Sequence, residues 1–167
     1  AVLVLRTEVA DADGPLWAAE AQIFVRGAGG WGGDRGPSAR LAPVTGGPDR
    51  TVERTVREDQ ALLYRLSGDY NPLHADPGFA RLAGFDRPVL HGLCTYGITL
   101  KAVVDTLLGG DVTRVRSYAT RFAGVVYPGE TLRVRMWRQG SGGVRVSVTA
   151  VEREDAPVLA DTVVEHS

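Results

Sequence analysis

The sequence has few of the residues that mark secreted, membrane or nucleic-acid-binding proteins. Its 167 residues include one cysteine, Cys94, which excludes an internal disulfide. No apolar run approaches the ~18 residues that span a membrane. The formal net charge is −1, so no broad basic surface is available for nucleic acid or an anionic membrane. The opening AVLVLRTEV lacks the charged start and cleavage site of a signal peptide, and we expect a cytoplasmic location.

The first 50 residues differ in character from the rest. Residues 1–9 and 16–26 are β-rich runs separated by the turn DADGP, which predicts a hairpin. The stretch that follows is rich in glycine and proline and predicts a loop and linker. It contains GAGGWG, which satisfies the dinucleotide pattern G-x-G-x-x-G. That motif also needs a helix directly afterwards, and DRGPSAR predicts none, so we expect a surface loop without a nucleotide.

From residue 51 onwards the periodicity predicts one complete α+β domain. Alternating and helical patterns indicate a short strand at 51–56, two short helices at 57–66 and 76–84, and a long helix at 95–108. Four strands follow: RVRSYATRFAGVV, ETLRVRMWRQG, GGVRVSVTAVERE and PVLADTVVE. The long helix is apolar on nearly every face, which predicts that it is buried. The order favours an antiparallel meander wrapped around this central helix.

The stretch SGDYNPLH places Asp69, Asn71 and His74 within six positions, held apart by Gly68 and Pro72. Taken singly, the aspartate could cap a turn, the asparagine could start another, and the histidine could be a core residue. Together, a carboxylate and an imidazole on one tight segment can converge on a water molecule and move its proton near neutral pH. The neighbouring amide could hold that water. This is chemistry suited to adding water to a double bond, or removing it.

Gly92, in the segment LHGLC, directly precedes the predicted long helix. Such a glycine can simply be the start of a helix. However, the first amides of a helix are unpaired and its dipole favours negative charge there, so the glycine N–H can also be an oxyanion donor. Because Asp69 and His74 lie upstream, we predict that Gly92 polarises a carbonyl group.

Three segments resemble one enzyme family in order and spacing: YRLSGDYNPLH with Ala80 six residues beyond the histidine, FDRPVLHGLCTYG, and RFAGVVYPGETL. Residues 50–167 are similar to the MaoC-like, R-specific 2-enoyl-CoA hydratases (hydratase 2), which have the hot-dog fold. The resemblance implies that Asp69 and His74 form the catalytic dyad and that Asn71 assists them. It also implies that the Gly92 N–H binds the thioester oxygen.

The resemblance also gives an interpretation of the first 50 residues, because many family members are double hot dogs. Residues 1–36 are then the last strands of a degenerate N-terminal half, 37–50 a linker, and 51–167 the catalytic domain. We expect the hairpin to belong to a sheet continuous with, or packed beside, the C-terminal sheet. The missing strands would be supplied by upstream residues or by a partner subunit, so we expect a homodimer or a pairing of two halves.

Four residues are weaker candidates for substrate binding. His91 precedes Gly92 and could line the site or make only a structural hydrogen bond. The other three are arginines, whose forked guanidinium groups suit the phosphates of CoA: Arg87, Arg116 and Arg121.

The sequence therefore predicts hydration of a trans-2-enoyl thioester, carried by CoA or a carrier protein, to the (3R)-3-hydroxyacyl thioester, or the reverse dehydration. No separate cofactor is expected, and no metal, because the three histidines and one cysteine lack ligand spacing. Two alternatives stay open: a hot-dog thioesterase, and a non-catalytic hot dog that binds acyl-CoA or pairs with another subunit.

Overall fold

The computed structural model describes residues 1–25, 27–34 and 40–167, and the chain divides into two compact units, Ala1–Ser38 and Ala39–Ser167. In the first unit, β1 (Val2–Asp11) and β2 (Gly14–Phe24) form the predicted hairpin as a two-stranded antiparallel sheet. Its turn is closed by the Asp11 carboxylate, which accepts hydrogen bonds from the N–H groups of Asp13 and Gly14. The pairing of this hairpin with further strands stays a prediction.

The hairpin exposes many large apolar side chains: Val2, Leu3, Val4, Leu5, Leu16, Trp17, Ile23 and Phe24. The glycine-rich stretch follows, and its residues 27–34 are turn, bend and irregular structure. The rest of the predicted surface loop, residues 35–39, lies outside the described residues. The assignment of residues 1–36 to the remnant of a second hot-dog half likewise stays a prediction.

The second unit begins with irregular chain that is anchored to the sheet. Leu41 N–H donates to Asp161 Oδ1, and the indole N–H of Trp137 donates to Gly46 O. The regular elements then follow in chain order: β3 (Arg50–Thr55), α1 (Gln60–Tyr64), α2 (Pro77–Leu82), α3 (Gly92–Leu107), β4 (Val115–Phe122), β5 (Thr131–Gln139), β6 (Gly143–Ala150) and β7 (Ala156–His166).

Five strands form one antiparallel sheet in the order β3-β5-β6-β7-β4. The predicted four-strand meander is therefore partly wrong, because β4 pairs with β7 and not with its neighbour in sequence, β5. Alternate residues of the central strands are buried against the helix side, as period-2 patterning requires. They form the core together with residues of α3: Leu132, Val134, Met136, Val144, Val146, Val148, Ala102 and Val103.

The long helix α3 begins at Gly92, three residues before the predicted start. The prediction that it is buried all round is wrong: one face packs on the sheet through Thr99, Ala102 and Val103, while Leu93 and Lys101 are exposed. A single sheet can cover only one stripe of a helix. Among the described residues, no helix is both long and apolar enough to cross a membrane.

Candidate active site

The predicted acid-base motif folds into a short, capped turn in front of α2. Gly68 adopts φ +113°, a left-handed conformation that suits glycine, and ends the 3₁₀ helix Arg65–Ser67. Asp69 Oδ1 then accepts the Asn71 N–H at 3.2 Å. The side chain of Asn71 caps the next 3₁₀ helix, Pro72–His74, by accepting the Leu73 N–H. The asparagine oxygen therefore shapes the turn that carries the histidine.

The tautomer of His74 follows from its hydrogen bond. Its Nδ1 lies 2.7 Å from the carbonyl oxygen of Val89. A carbonyl oxygen can only accept, so Nδ1 carries a proton, and in the neutral ring Nε2 holds the lone pair. One nitrogen of the half-buried ring and one carboxylate oxygen of the exposed Asp69 lie within 4.8 Å of each other. This separation allows one water molecule to contact both groups.

His91 is the third member of this cluster and is 1% exposed. Its ring stacks on the ring of His74, with centroids 3.6 Å apart and planes 25° apart. Its Nε2 donates to the backbone oxygen of Asp69 at 3.1 Å. Burial lowers the pKa of His91, and the nearby His74 lowers it further against the opposing effect of the Asp69 hydrogen bond. Burial therefore favours the neutral form of this ring.

Gly92 is the first residue of α3, where backbone N–H groups are unpaired. The N–H groups of Cys94 and Thr95 both donate to His91 O. Within the described chain, the Gly92 N–H has no backbone acceptor. The ring of Phe122, at the end of β4, lies against Gly92, because a β-carbon there would come within 3.1 Å of Cε1. The glycine thus offers a free donor beside an aromatic wall.

His74 and Gly92 border the same cavity, which has a volume of about 230 Å³ and a mainly apolar lining. Its other residues come from the segments around Leu73, Val89, α3, the end of β4 and β7: Leu73, Val89, Leu90, Thr95, Phe122, Gly124, Val125, Val126 and Val158. His74 also borders a second cavity of about 210 Å³, which Arg87 and Glu58 line. His74 therefore borders both an apolar cavity and a more polar one.

The three candidate arginines lie apart from one another. Arg87 lines the second cavity and its guanidinium group lies 5.0 Å from the ring centroid of Tyr127. Arg121 on β4 forms an ion pair with Asp161, with Nε 2.7 Å from Oδ2. Arg116 is exposed on β4. Of the three, only Arg87 lines a cavity that His74 also borders.

Sequence reasoning missed three parts of the site. The carbonyl of Val89 fixes the His74 tautomer, the ring of Tyr64 lies 4.8 Å from that of His91, and the ring of Phe122 lies over Gly92. The carbonyl leaves no signal in a sequence because every residue has one. The aromatic residues contact the site across the fold, so only their apolar character was visible.

The fold also brings together a group that could ligate a metal. One ligand atom from each of Asp69, His74 and His91 lies within 4.8 Å of the others, although the histidines come from different segments. Sequence spacing alone did not show this cluster. One nitrogen of each stacked ring already donates to a carbonyl oxygen, which leaves one nitrogen of each ring as a possible ligand. The absence of a metal stays a prediction.

An antiparallel sheet wrapped on one long helix is the architecture of the hot-dog class of α+β domains. Residues 41–157 match the family model of the MaoC like domain. The solved MaoC-like dehydratase of Phytophthora capsici superposes with a TM-score of 0.87 at 37% identity, covering 99% of this chain and 56% of that one. The chain belongs to the MaoC-like dehydratase family.

Two curated relatives come from Mycobacterium tuberculosis. An enoyl-CoA hydratase is 52% identical over 161 residues, covering 96% of this chain and 56% of the relative. A 3-hydroxyacyl-thioester dehydratase is 45% identical over 168 residues, covering 96% of this chain and 58% of the relative. The chain therefore spans about half the length of these relatives.

Proposed function

We propose that this chain hydrates trans-2-enoyl thioesters to (3R)-3-hydroxyacyl thioesters, or catalyses the reverse dehydration. One observation carries the proposal: the ring of His74 and the helix N-terminus at Gly92 border one apolar cavity. Beside it, a carboxylate oxygen of Asp69 lies within 4.8 Å of a ring nitrogen of His74. The activities named for the two mycobacterial relatives support the same reaction class. The R stereochemistry rests on the resemblance of the motif to hydratase 2.

In this mechanism, the thioester oxygen accepts the Gly92 N–H, which stabilises negative charge as it develops on the enolate. Asp69 and His74 hold the water molecule. As the water oxygen bonds to C3, one of the pair accepts its proton, and the π electrons of the double bond move towards the thioester. A proton then returns to C2, so one water molecule is added across the bond. Asn71 supports the reaction by capping the turn that carries His74.

The cavities suggest how the substrate lies. The apolar cavity beside Gly92 suits the acyl chain, because burying methylene groups there is favourable. The polar cavity beside Arg87 suits the remainder of the thioester, and Arg87 is the candidate for phosphate contact. We propose Arg116 and Arg121 only as peripheral phosphate contacts. We propose no cofactor beyond the CoA or carrier group of the substrate.

The same site could instead activate water against the thioester carbonyl, which would make the protein a thioesterase, or it could bind acyl-CoA without reaction. Crotonyl-CoA distinguishes these three functions. Hydration removes the enoyl absorbance without releasing thiol, hydrolysis releases thiol, and a binding protein does neither. We expect the first result, and thiol release at the rate of absorbance loss would contradict the proposal.

We further propose a cytoplasmic protein that acts as a homodimer or pairs two hot-dog halves. The exposed apolar side chains of the N-terminal hairpin support an additional partner surface. Sedimentation of the purified chain tests this assembly: we expect a species larger than 17.9 kDa. Cell fractionation tests the location, and a protein found in a sealed organelle fraction would contradict it.

A further inference from the structure

His91 contacts Asp69, His74 and the start of α3. Its backbone caps α3, its carbonyl accepts the N–H groups of Cys94 and Thr95, and its ring covers one face of His74. Its Nε2 donates to the backbone oxygen of Asp69. A single buried side chain therefore links the turn that carries the carboxylate to the helix start that carries the Gly92 donor.

The protonation state of His91 is set by its surroundings. The Asp69 oxygen can only accept, so Nε2 carries the proton and Nδ1 holds a lone pair. That Nδ1 is buried and has no hydrogen-bond partner among the described residues. A second proton would place an unpaired buried charge 3.6 Å from the His74 ring, at high energetic cost.

The hydrogen bond from His91 restrains the backbone of Asp69. The Asp69 side chain is exposed, and its one hydrogen bond in the described structure is to Asn71 N–H, within its own turn. Two hydrogen bonds tie the later part of this turn to Val89, through Leu73 O and His74 Nδ1, and the bond from His91 is the one that holds the Asp69 backbone itself. Without it, the carboxylate could move relative to His74 and Gly92. A displacement of about 1 Å can lower turnover about 100-fold.

We propose that His91 is a positioning residue: its Nε2–H fixes the Asp69 backbone against the start of α3, so that the carboxylate, His74 and the Gly92 N–H face one water molecule and one thioester. This inference rests on the proposed hydratase function for its kinetic test. It assigns to His91 a role through Asp69 rather than direct contact with the substrate.

Two substitutions separate the hydrogen bond from the packing. His91→Phe keeps a ring against His74 but removes the donor, whereas His91→Gln places an amide donor near the position of Nε2. We expect His91→Phe to lower kcat for crotonyl-CoA about 10- to 100-fold with KM within about twofold, and His91→Gln to recover most of the loss. His166→Phe, at the end of β7, is the matched control and should keep wild-type kcat.

A double-variant comparison shows whether His91 acts through Asp69. In the Asp69→Asn background, His91→Phe should cause no further loss of kcat, because the carboxylate it positions is gone. Independent, multiplicative losses of kcat would overturn the inference. So would a folded His91→Phe variant with wild-type kcat, or a His91→Gln variant whose kcat is no higher than that of His91→Phe. If the wild-type chain itself does not hydrate crotonyl-CoA, the proposed function fails instead.

A measurement that needs no activity tests the geometry directly. In protein labelled with ¹⁵N-histidine, NMR should show His91 as the Nε2–H tautomer, as its hydrogen bond to the Asp69 carbonyl requires. This arm also decides the inference if His91→Phe fails to fold. Detection of the Nδ1–H tautomer, which could not donate to the Asp69 carbonyl, would overturn the inference.

Discussion

The ring of Phe122 covers Gly92 so closely that a β-carbon on the glycine would lie 3.1 Å from ring atom Cε1 and 3.4 Å from Cδ1. This contact joins the end of the edge strand β4 to the first residue of α3. Because Gly92 and Phe122 both line the cavity that His74 borders, any side chain at Gly92 must displace the ring or enter the cavity.

Gly92→Ala should therefore impair turnover without unfolding the protein. We expect kcat/KM for crotonyl-CoA to fall about 100-fold, because the new methyl group disturbs the donor geometry. Adding Phe122→Leu should restore part of that loss by making room. Gly97→Ala is the matched control on the same helix: its β-carbon meets no atom within 4 Å, so activity should be unchanged. Wild-type kinetics of Gly92→Ala would contradict the oxyanion assignment.

The proposed dyad predicts strongly non-additive losses. Asp69→Asn and His74→Gln should each remove most of kcat, because both groups act on one water molecule, and the double variant should be little worse than either single variant. Circular dichroism and acyl-CoA binding should stay near wild type, since the Asp69 side chain is exposed and that of His74 is half buried. Steady-state kinetics checks this, and multiplicative losses would show separate roles.

The buried carboxylate of Glu130 should be important for stability. It is 5% exposed, accepts the Tyr127 N–H at 2.9 Å, and pairs with Arg153 at 2.6 Å. Glu130→Ala removes the acceptor of the Tyr127 N–H and of Arg153 Nε, and among the described residues Arg153 then keeps only its hydrogen bond to the Val125 carbonyl. We expect the free energy of unfolding in urea to fall by about 2 to 4 kcal/mol. Asp105→Ala, which breaks the exposed i,i+4 pair with Lys101, should change stability by less than about 0.5 kcal/mol. Similar effects of both variants would contradict this ranking.

Asp155 should link stability to pH on the acidic side. Hydrogen bonds from Thr149 first, then contacts with Arg135 and Arg133, hold the pKa of this carboxyl below its ordinary value. A lowered folded-state pKa means that the stabilisation is complete above the ordinary value near 3.8 and is lost as pH falls through the folded-state pKa.

Asp155→Asn should therefore lower the thermal midpoint at pH 7. The difference in thermal midpoint between variant and wild type should shrink as the pH falls below 3.8, the ordinary pKa of an aspartate. Asparagine tolerates the left-handed φ of +58° at this position, so the effect reports the charge. Thermal melts across the acidic range measure it, with the exposed Asp105→Asn as control. A constant difference at every pH would contradict the charge-based explanation.

Much of the second unit could be predicted from the sequence because its signals are local. The alternating apolar residues of β5 and β6 predicted strands with one buried face, and Asp76 before Pro77 predicted the start of α2, where its side chain caps two N–H groups. The family motif around Asp69 and His74 predicted the hot-dog fold, which is confirmed.

Local patterns could not predict contacts that depend on the path of the chain. The long helix has apolar residues on nearly every side, but the sheet covers only one, and so Leu93 is exposed. Strand β4 alternates like its neighbours, yet pairs with β7, because the pairing of strands is decided by the layers of the whole domain.

By itself, the sequence determined which segments form helices and strands, and which residue types could move a proton at Asp69 and His74, because periodicity and turn chemistry are properties of short stretches. Only the tertiary structure decided that Val89 fixes the tautomer of His74, that Phe122 covers Gly92, and that the ring of His91 lies against His74. These contacts join segments far apart in the chain, and packing of the core around α3, rather than any local preference, brings them within hydrogen-bonding and van der Waals distance.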